Sequence, residues 1–171
     1  MQTDLSDGLA ALASEGLVDL KRACIVGASY GGYAALAGVT LQKGVYRCAV
    51  AVAGVSDVPR LMVNERIDRG RDDRSVRFLA SLSGTGREAA AVSPARLAAR
   101  ADAPILLIHG DKDTVVPIEQ SRLMERALRD AGKPVELVVM DGEDHWLSFE
   151  ATRQTMLKSA IAFVEKHNPA P

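Results

Sequence analysis

The sequence predicts an α/β fold in which a parallel sheet is covered by helices. Short, almost wholly apolar runs alternate with longer amphipathic segments, which is the pattern of strands joined by helical crossovers. The apolar runs lack the alternation of half-exposed strands and read as strands covered on both faces. The length of 171 residues suits one domain with a real buried core.

Four strands are expected, at residues 23–26, 48–53 ("CAVAVA"), 105–108 ("ILLI") and 135–140 ("VELVVM"). Between the third and fourth, "PIEQSRLMERALRDAGKP" reads as a helix opened by Pro117 and closed by Gly132 and Pro134, with Leu123, Ala127 and Leu128 as its apolar stripe. The last segment, "LSFEATRQTMLKSAIAFVEKH", places Phe149, Met156, Ala160, Ile161 and Val164 at helical spacing and should pack on the sheet. Residues 56–104, containing "NERIDRGRDDRSVR" and "SLSGTGRE", exceed a simple crossover. Extra short helices with a solvated, ion-paired surface are expected there. No internal repeat or low-complexity linker divides the chain.

Composition narrows the partners. With 21 basic against 22 acidic residues, the net charge of −1 gives no electrostatic case for nucleic acid or an anionic membrane surface. No apolar run approaches the roughly 20 residues of a membrane-spanning helix, and "MQTDLSDGLAALASEG" lacks the basic start and cleavage site of a secretory signal. A peptide or a neutral small molecule fits better. Cys24 and Cys48 are expected to be buried free thiols. The acidic stretches "DKD" and "DGED" lack the ligand spacing of a calcium loop and read as turns, so neither metal nor cofactor is expected.

The chemistry starts at "CIVGASYGGYAAL". Gly27-Ala28-Ser29-Tyr30-Gly31 fits G-x-S-x-G, between an expected strand and an expected helix. A sharp turn of this kind lifts the serine hydroxyl above the sheet, and Gly27 and Gly31 are expected where a side chain would collide. Gly32 would permit further close packing. The same turn aims the first helical amides at a substrate carbonyl, so the Tyr30 N–H is a candidate oxyanion donor. Such a donor is worth roughly 2.7 to 4 kcal/mol in acyl transfer.

Serine is a weak nucleophile and needs a base. Of three histidines, His167 lies near the C-terminal tail and reads as solvent-exposed, and His109 ends the third strand and reads as structural. His145, in the polar loop "MDGEDHW" after the last strand, is the best base. Asp57, Asp111 and Asp113 are the candidate acids. Asp113 lies deeper in its loop and can turn towards His145, whereas Asp111 beside Gly110 suits a turn-stabilising role. The order Ser29, Asp113, His145 is that of α/β-hydrolases, with each residue after a strand at the ligand-binding edge of a parallel sheet.

The stretches "GASYGGYAAL", "AVAGVSD", "IHGDKDTVVPIEQS" and "GEDHW", in that order, resemble the catalytic domain of the prolyl oligopeptidase family, particularly its acylaminoacyl-peptidase and dipeptidyl-aminopeptidase-like members. The resemblance runs through nearly the whole chain and implies a serine peptidase with nucleophile Ser29, acid Asp113, base His145 and oxyanion donor Tyr30 N–H. It also implies an apolar pocket at Val55, Val58, Leu61 and Val116 for the residue before the scissile bond.

Family catalytic domains resemble longer α/β-hydrolases, with several strands and a second oxyanion donor before the nucleophile strand. The expectation is therefore a partial α/β-hydrolase fold, the C-terminal piece of a larger peptidase or a truncated relative. The first strand would then present an open apolar edge, suited to self-association or to pairing with the missing strands. A carboxylesterase is the nearest alternative, and a catalytically incomplete fragment acting as an assembly module is the alternative from another class.

Overall fold

The computed structural model describes residues 2–69 and 74–170, with the side chains of residues 2, 65–69, 75, 78, 79 and 82 outside that description. Strands β1 (Ile25–Ala28), β2 (Ala49–Val52), β3 (Ile105–Gly110) and β4 (Val135–Met140) form a parallel sheet in the order β1-β2-β3-β4. Around it, in chain order, lie helices α1 (Gln2–Ser14), α2 (Tyr30–Thr40), α3 (Val58–Arg69), α4 (Arg74–Ser83), α5 (Arg87–Ala91), α6 (Glu119–Asp130) and α7 (Glu150–His167). The excursion between β2 and β3 consists of short helices, as expected: α3, α4, α5 and a 3-10 segment, Pro94–Arg100.

The strands present alternate side chains to two helical layers, because successive residues of a strand face opposite ways. Ala49, Ala51, Ile105 and Leu107 pack with Leu36 and Val39 of α2 and Met124 and Leu128 of α6. On the other face Val50, Val52, Leu106 and Ile108 pack with Ala160 and Phe163 of α7. A fully buried leucine or isoleucine in such a layer contributes roughly 1.5–3 kcal/mol. Monotonic strand order explains the division: α2 joins β1 to β2 and α6 joins β3 to β4, and crossovers of one hand running in one direction lie on one face, which leaves the other to α7.

One contact sets the distance between α2 and the sheet. A Cβ on Gly32 would stand 2.7 Å from Gly54 Cα and 2.9 Å from the Val52 carbonyl oxygen, both backbone atoms that cannot rotate away. Gly32→Ala is expected to destabilise the chain by about 1–3 kcal/mol through overpacking. A lowered urea midpoint at unchanged slope is the measurement that checks it.

The structure moves several expected boundaries. β1 begins two residues later than its apolar run and continues to the serine turn, while β3 extends through His109 and Gly110, paired with Val139 and Met140. β2 stops at Val52, and Ala53 takes a left-handed φ of 47°. In α6 the buried positions are Gln120, Ser121, Met124 and Leu128, with Ala127 packed beside them and Leu123 half-buried. In α7, Ala160 and Phe163 are buried and Met156 and Val164 pack against that cluster. Ile161 and Phe149 are each 56% exposed, so the buried stripe is turned away from both, and Phe149 precedes the helix as its cap. Of the charged run 64–77, residues 70–73 lie outside the described residues, while Arg74 and Arg77 are exposed.

The two cysteines correct the expectation of free thiols: Cys24 and Cys48 form a disulfide. The register Ile25 to Ala49 sets Cys24 and Cys48 side by side immediately before their strands, with Cα atoms 4.8 Å apart. That separation lies within the bridging range. β1 forms one edge of the sheet, where Val26 is 55% exposed.

Candidate active site

Ser29 sits between β1 and α2 with φ 55° and ψ −117°, a left-handed backbone that a serine adopts only when its surroundings impose it. The turn is held on both sides: the Ser29 N–H donates to the Val52 carbonyl at 2.8 Å, and the Ser29 carbonyl accepts from the Tyr33 N–H. A Cβ on Gly27 would lie 2.2 Å from the Gly31 carbonyl oxygen, so glycine at 27 is a condition of the turn. At Gly31 a Cβ would meet nothing within 4 Å; its backbone, rather than its lack of a side chain, makes the close approach. The expectation that both glycines avoid a collision therefore holds only for Gly27. Tyr30 contributes the first amide of α2, where helical donors have no partner within the helix.

Asp113 and His145 come from loops after β3 and β4 and meet Ser29 above the carboxyl ends of the strands. His145 Nδ1 lies 2.7 Å from Asp113 Oδ2, and His145 Nε2 lies 3.0 Å from Ser29 Oγ. Burial pushes the Asp113 carboxyl up, but hydrogen bonds from His109, His145 and the amides of Val116 and Val115 outweigh it and hold the group below the usual range. An ionised carboxylate only accepts, so Nδ1 carries the His145 proton and Nε2 is left to accept from the Ser29 hydroxyl.

The other acids and bases are engaged elsewhere. Asp57 accepts from Arg96 at 2.9 and 3.3 Å and from the Arg60 N–H, and Asp111 accepts from the Gly142 N–H at 2.7 Å. His167 packs on Phe163 in the last turn of α7, half-buried rather than solvent-exposed; burial and the charge of Lys166 push its imidazole down. Its carbonyl accepts from Arg47, just before β2, which puts it at the opposite end of the sheet from Ser29. Among the expected pocket residues, Val58, Leu61 and Val116 are buried and Val55 is half-buried. Val58 belongs to a small cluster with Met62 and Ala89, against which Val55 and Tyr33 pack. A neighbouring cleft of mixed character is lined by Asp57, Pro59, Arg60, Val63, Asn64 and Arg96.

Glu143 was not foreseen. Its buried side chain accepts from the amides of Asp144 and Ser148 at 2.9 Å each, from the Phe149 amide at 3.3 Å and from the Thr152 hydroxyl. The carboxylate thereby ties the His145 loop to the start of α7. Its place two residues before His145 in "GEDHW" was the available signal, and an acidic turn was the plainer reading of it. Burial pushes the Glu143 carboxyl up, and those hydrogen bonds more than offset it, leaving it below the usual range.

Acid should therefore loosen the fold. Asp113 and Glu143 have folded pKa values below their unfolded ones, so their stabilisation is complete above about pH 4–5 and is lost as pH falls from there through the folded values. The urea midpoint should begin to fall below about pH 6.5, where unfolded His167 takes up a proton that the folded residue resists, and fall further below about pH 4.5. The second fall should be shallower in Glu143→Gln.

The model of the prolyl oligopeptidase family matches residues 1–169. The chain belongs to this family. Among its curated relatives is dipeptidyl-peptidase 5 of Porphyromonas endodontalis, 29% identical over 140 residues, or 80% of this chain and 20% of that protein. Among solved structures, a puromycin-hydrolyzing peptidase of Mycobacterium tuberculosis superposes with a TM-score of 0.85 at 30% identity, covering 96% of this chain and 24% of that one. An acylaminoacyl peptidase of Pyrococcus horikoshii shares the fold with a TM-score of 0.83 at 24% identity, covering 99% of this chain and 28% of that one. The parallel sheet and its helices are thus part of an α/β-hydrolase fold. This member of the prolyl oligopeptidase family spans about a fifth of the length of the curated relatives it matches.

Proposed function

We propose that the chain carries the hydrolytic site of a serine peptidase acting on short or N-terminally modified peptides. The observation that supports this reading is the line Ser29 Oγ, His145 Nε2, His145 Nδ1, Asp113 Oδ2, with separations of 3.0 and 2.7 Å, set above the carboxyl ends of the strands. In this reading Ser29 Oγ attacks the scissile carbonyl carbon while His145 Nε2 takes its proton. The Tyr30 N–H stabilises the oxyanion. His145 then returns the proton to the departing amine, leaving an acyl ester on Ser29, and a water activated by the same nitrogen releases the acid. Asp113 keeps Nδ1 protonated and stabilises the imidazolium. In this reading Val55, Val58, Leu61 and Val116 line the pocket for the residue before the scissile bond.

A fluorophosphonate probe and paired substrates test the reading. An adduct mapped by mass spectrometry to Ser29, with turnover of peptide anilides, is the expected result. Turnover of activated esters alone favours a carboxylesterase. A folded chain that takes up no label at Ser29 overturns the hydrolytic reading and leaves an assembly module. The exposed apolar edge at β1 is, in the same proposal, where further strands of a longer chain or a second copy add to the sheet. A strictly monomeric species by light scattering at high concentration counts against the second copy.

A further inference from the structure

His109 is a fully buried imidazole at the end of β3, one strand position from Gly110, and the proposed hydrolytic steps leave it without a part. Both its ring nitrogens are engaged. Nε2 lies 2.8 Å from the Val116 carbonyl oxygen and 3.3 Å from Asp113 Oδ2, the same oxygen that receives His145 Nδ1. Nδ1 lies 2.7 Å from Ser121 Oγ on α6. Two acceptors around Nε2 place the ring proton there, and Nδ1 then accepts from the Ser121 hydroxyl. Among the described residues the titratable groups around His109 are Asp113, His145 beyond it, and Glu143, whose main chain docks against Gly110. β4 presents the apolar Val139 at the paired position, and α6 presents Ser121.

We infer that His109 is a positioning residue for the site, a neutral second imidazole that fixes Asp113 Oδ2 and limits how strongly that oxygen draws the proton of His145. The inference rests on the reading of Ser29, His145 and Asp113 as one catalytic unit. The His109 Nε2–H, bonded to the Val116 carbonyl and 3.3 Å from Oδ2, draws part of that oxygen's charge away from His145. His145 is then stabilised less as imidazolium than it would be beside an unshared carboxylate. The Val115 and Val116 amides, each 2.8 Å from Oδ1, hold the other oxygen. Together these contacts leave the carboxylate a single orientation.

The test is histidine NMR on the whole chain, without substrate. Long-range 1H–15N correlation at neutral pH should show His109 with Nε2 protonated and Nδ1 bare. The Nδ1–H tautomer overturns the proposal with no variant needed. His109→Phe removes the N–H beside Asp113 and should raise the His145 titration midpoint by about half a unit or more. His109→Gln, whose amide nitrogen falls near the position of Nε2, should return the midpoint towards the starting value, which a purely space-filling role would not do. Equal midpoints in all three folded proteins overturn the proposal. If His109→Phe does not fold, the tautomer measurement and His109→Gln decide it, a raised midpoint in the glutamine variant counting against it. A chain that titrates as described but takes up no fluorophosphonate label keeps this coupling and loses the hydrolytic reading instead.

Discussion

Ser29→Ala is expected to lower kcat by about a millionfold, the scale seen when the nucleophile of a serine hydrolase triad is removed. The fold should be unaffected. The alanine meets the same left-handed φ of 55° that Ser29 already bears, and the turn is held by main-chain bonds to Val52 and Tyr33 that need no hydroxyl. Thermal or urea unfolding should therefore match the parent within about 0.5 kcal/mol. A variant that keeps more than a few per cent of peptide turnover would remove Ser29 from the mechanism, whatever its labelling.

Asp113→Asn should be the second largest effect, a fall of about 10⁴ in kcat, by analogy with the same change in other triads. Two donors, His145 Nδ1 and His109 Nε2, face Oδ2, and two amides face Oδ1. An amide side chain has one acceptor end and one donor end, so in either orientation its NH2 confronts donors. With the NH2 towards the histidines, His145 gives up its Nδ1 proton and carries it on Nε2, where it can no longer accept from Ser29. With the NH2 towards Val115 and Val116, the loop must open. Rate against pH separates these outcomes from unfolding: the first predicts residual activity that rises at high pH, where hydroxide replaces Nε2 as the base that takes the Ser29 proton. The second predicts a lowered urea midpoint as well.

The meeting of the three candidate residues was legible in the sequence because each stands just after an apolar run, and a parallel sheet gathers the carboxyl ends of its strands at one edge. The G-x-S-x-G turn located Ser29, the polar loop after β4 located His145, and its depth in "HGDKDTVVP" separated Asp113 from Asp111. What stayed hidden depended on register and on rotation about helix axes. Cys24 and Cys48 are 24 residues apart in sequence, and nothing local says that β1 and β2 pair with those two residues abreast. In α7, apolar residues occur on more than one face, so spacing alone admitted Ile161 to the stripe, whereas the packing of α7 on the sheet selects Phe163. Gln120 and Ser121 are polar side chains inside α6. They are buried because one of them bonds Ser56 and Asp57 and the other bonds His109, interactions invisible to hydrophobic periodicity.

The order β1-β2-β3-β4 puts the hydroxyl of Ser29 and the imidazole of His145 on loops from opposite borders of the sheet. Three strand spacings, roughly 14 Å, separate those borders, and the His145 loop must reach back across them to close a single 3.0 Å contact. Their alignment therefore gauges the sheet's width and twist. Fraying at either border, without loss of the core between them, would part the two groups by an ångström or more, and a displacement of that size can cost about a hundredfold in rate. Hydrolysis should then fail at urea concentrations where far-UV circular dichroism is still unchanged, a measure of how much of the sheet's cooperativity is spent on keeping two distant loops in line.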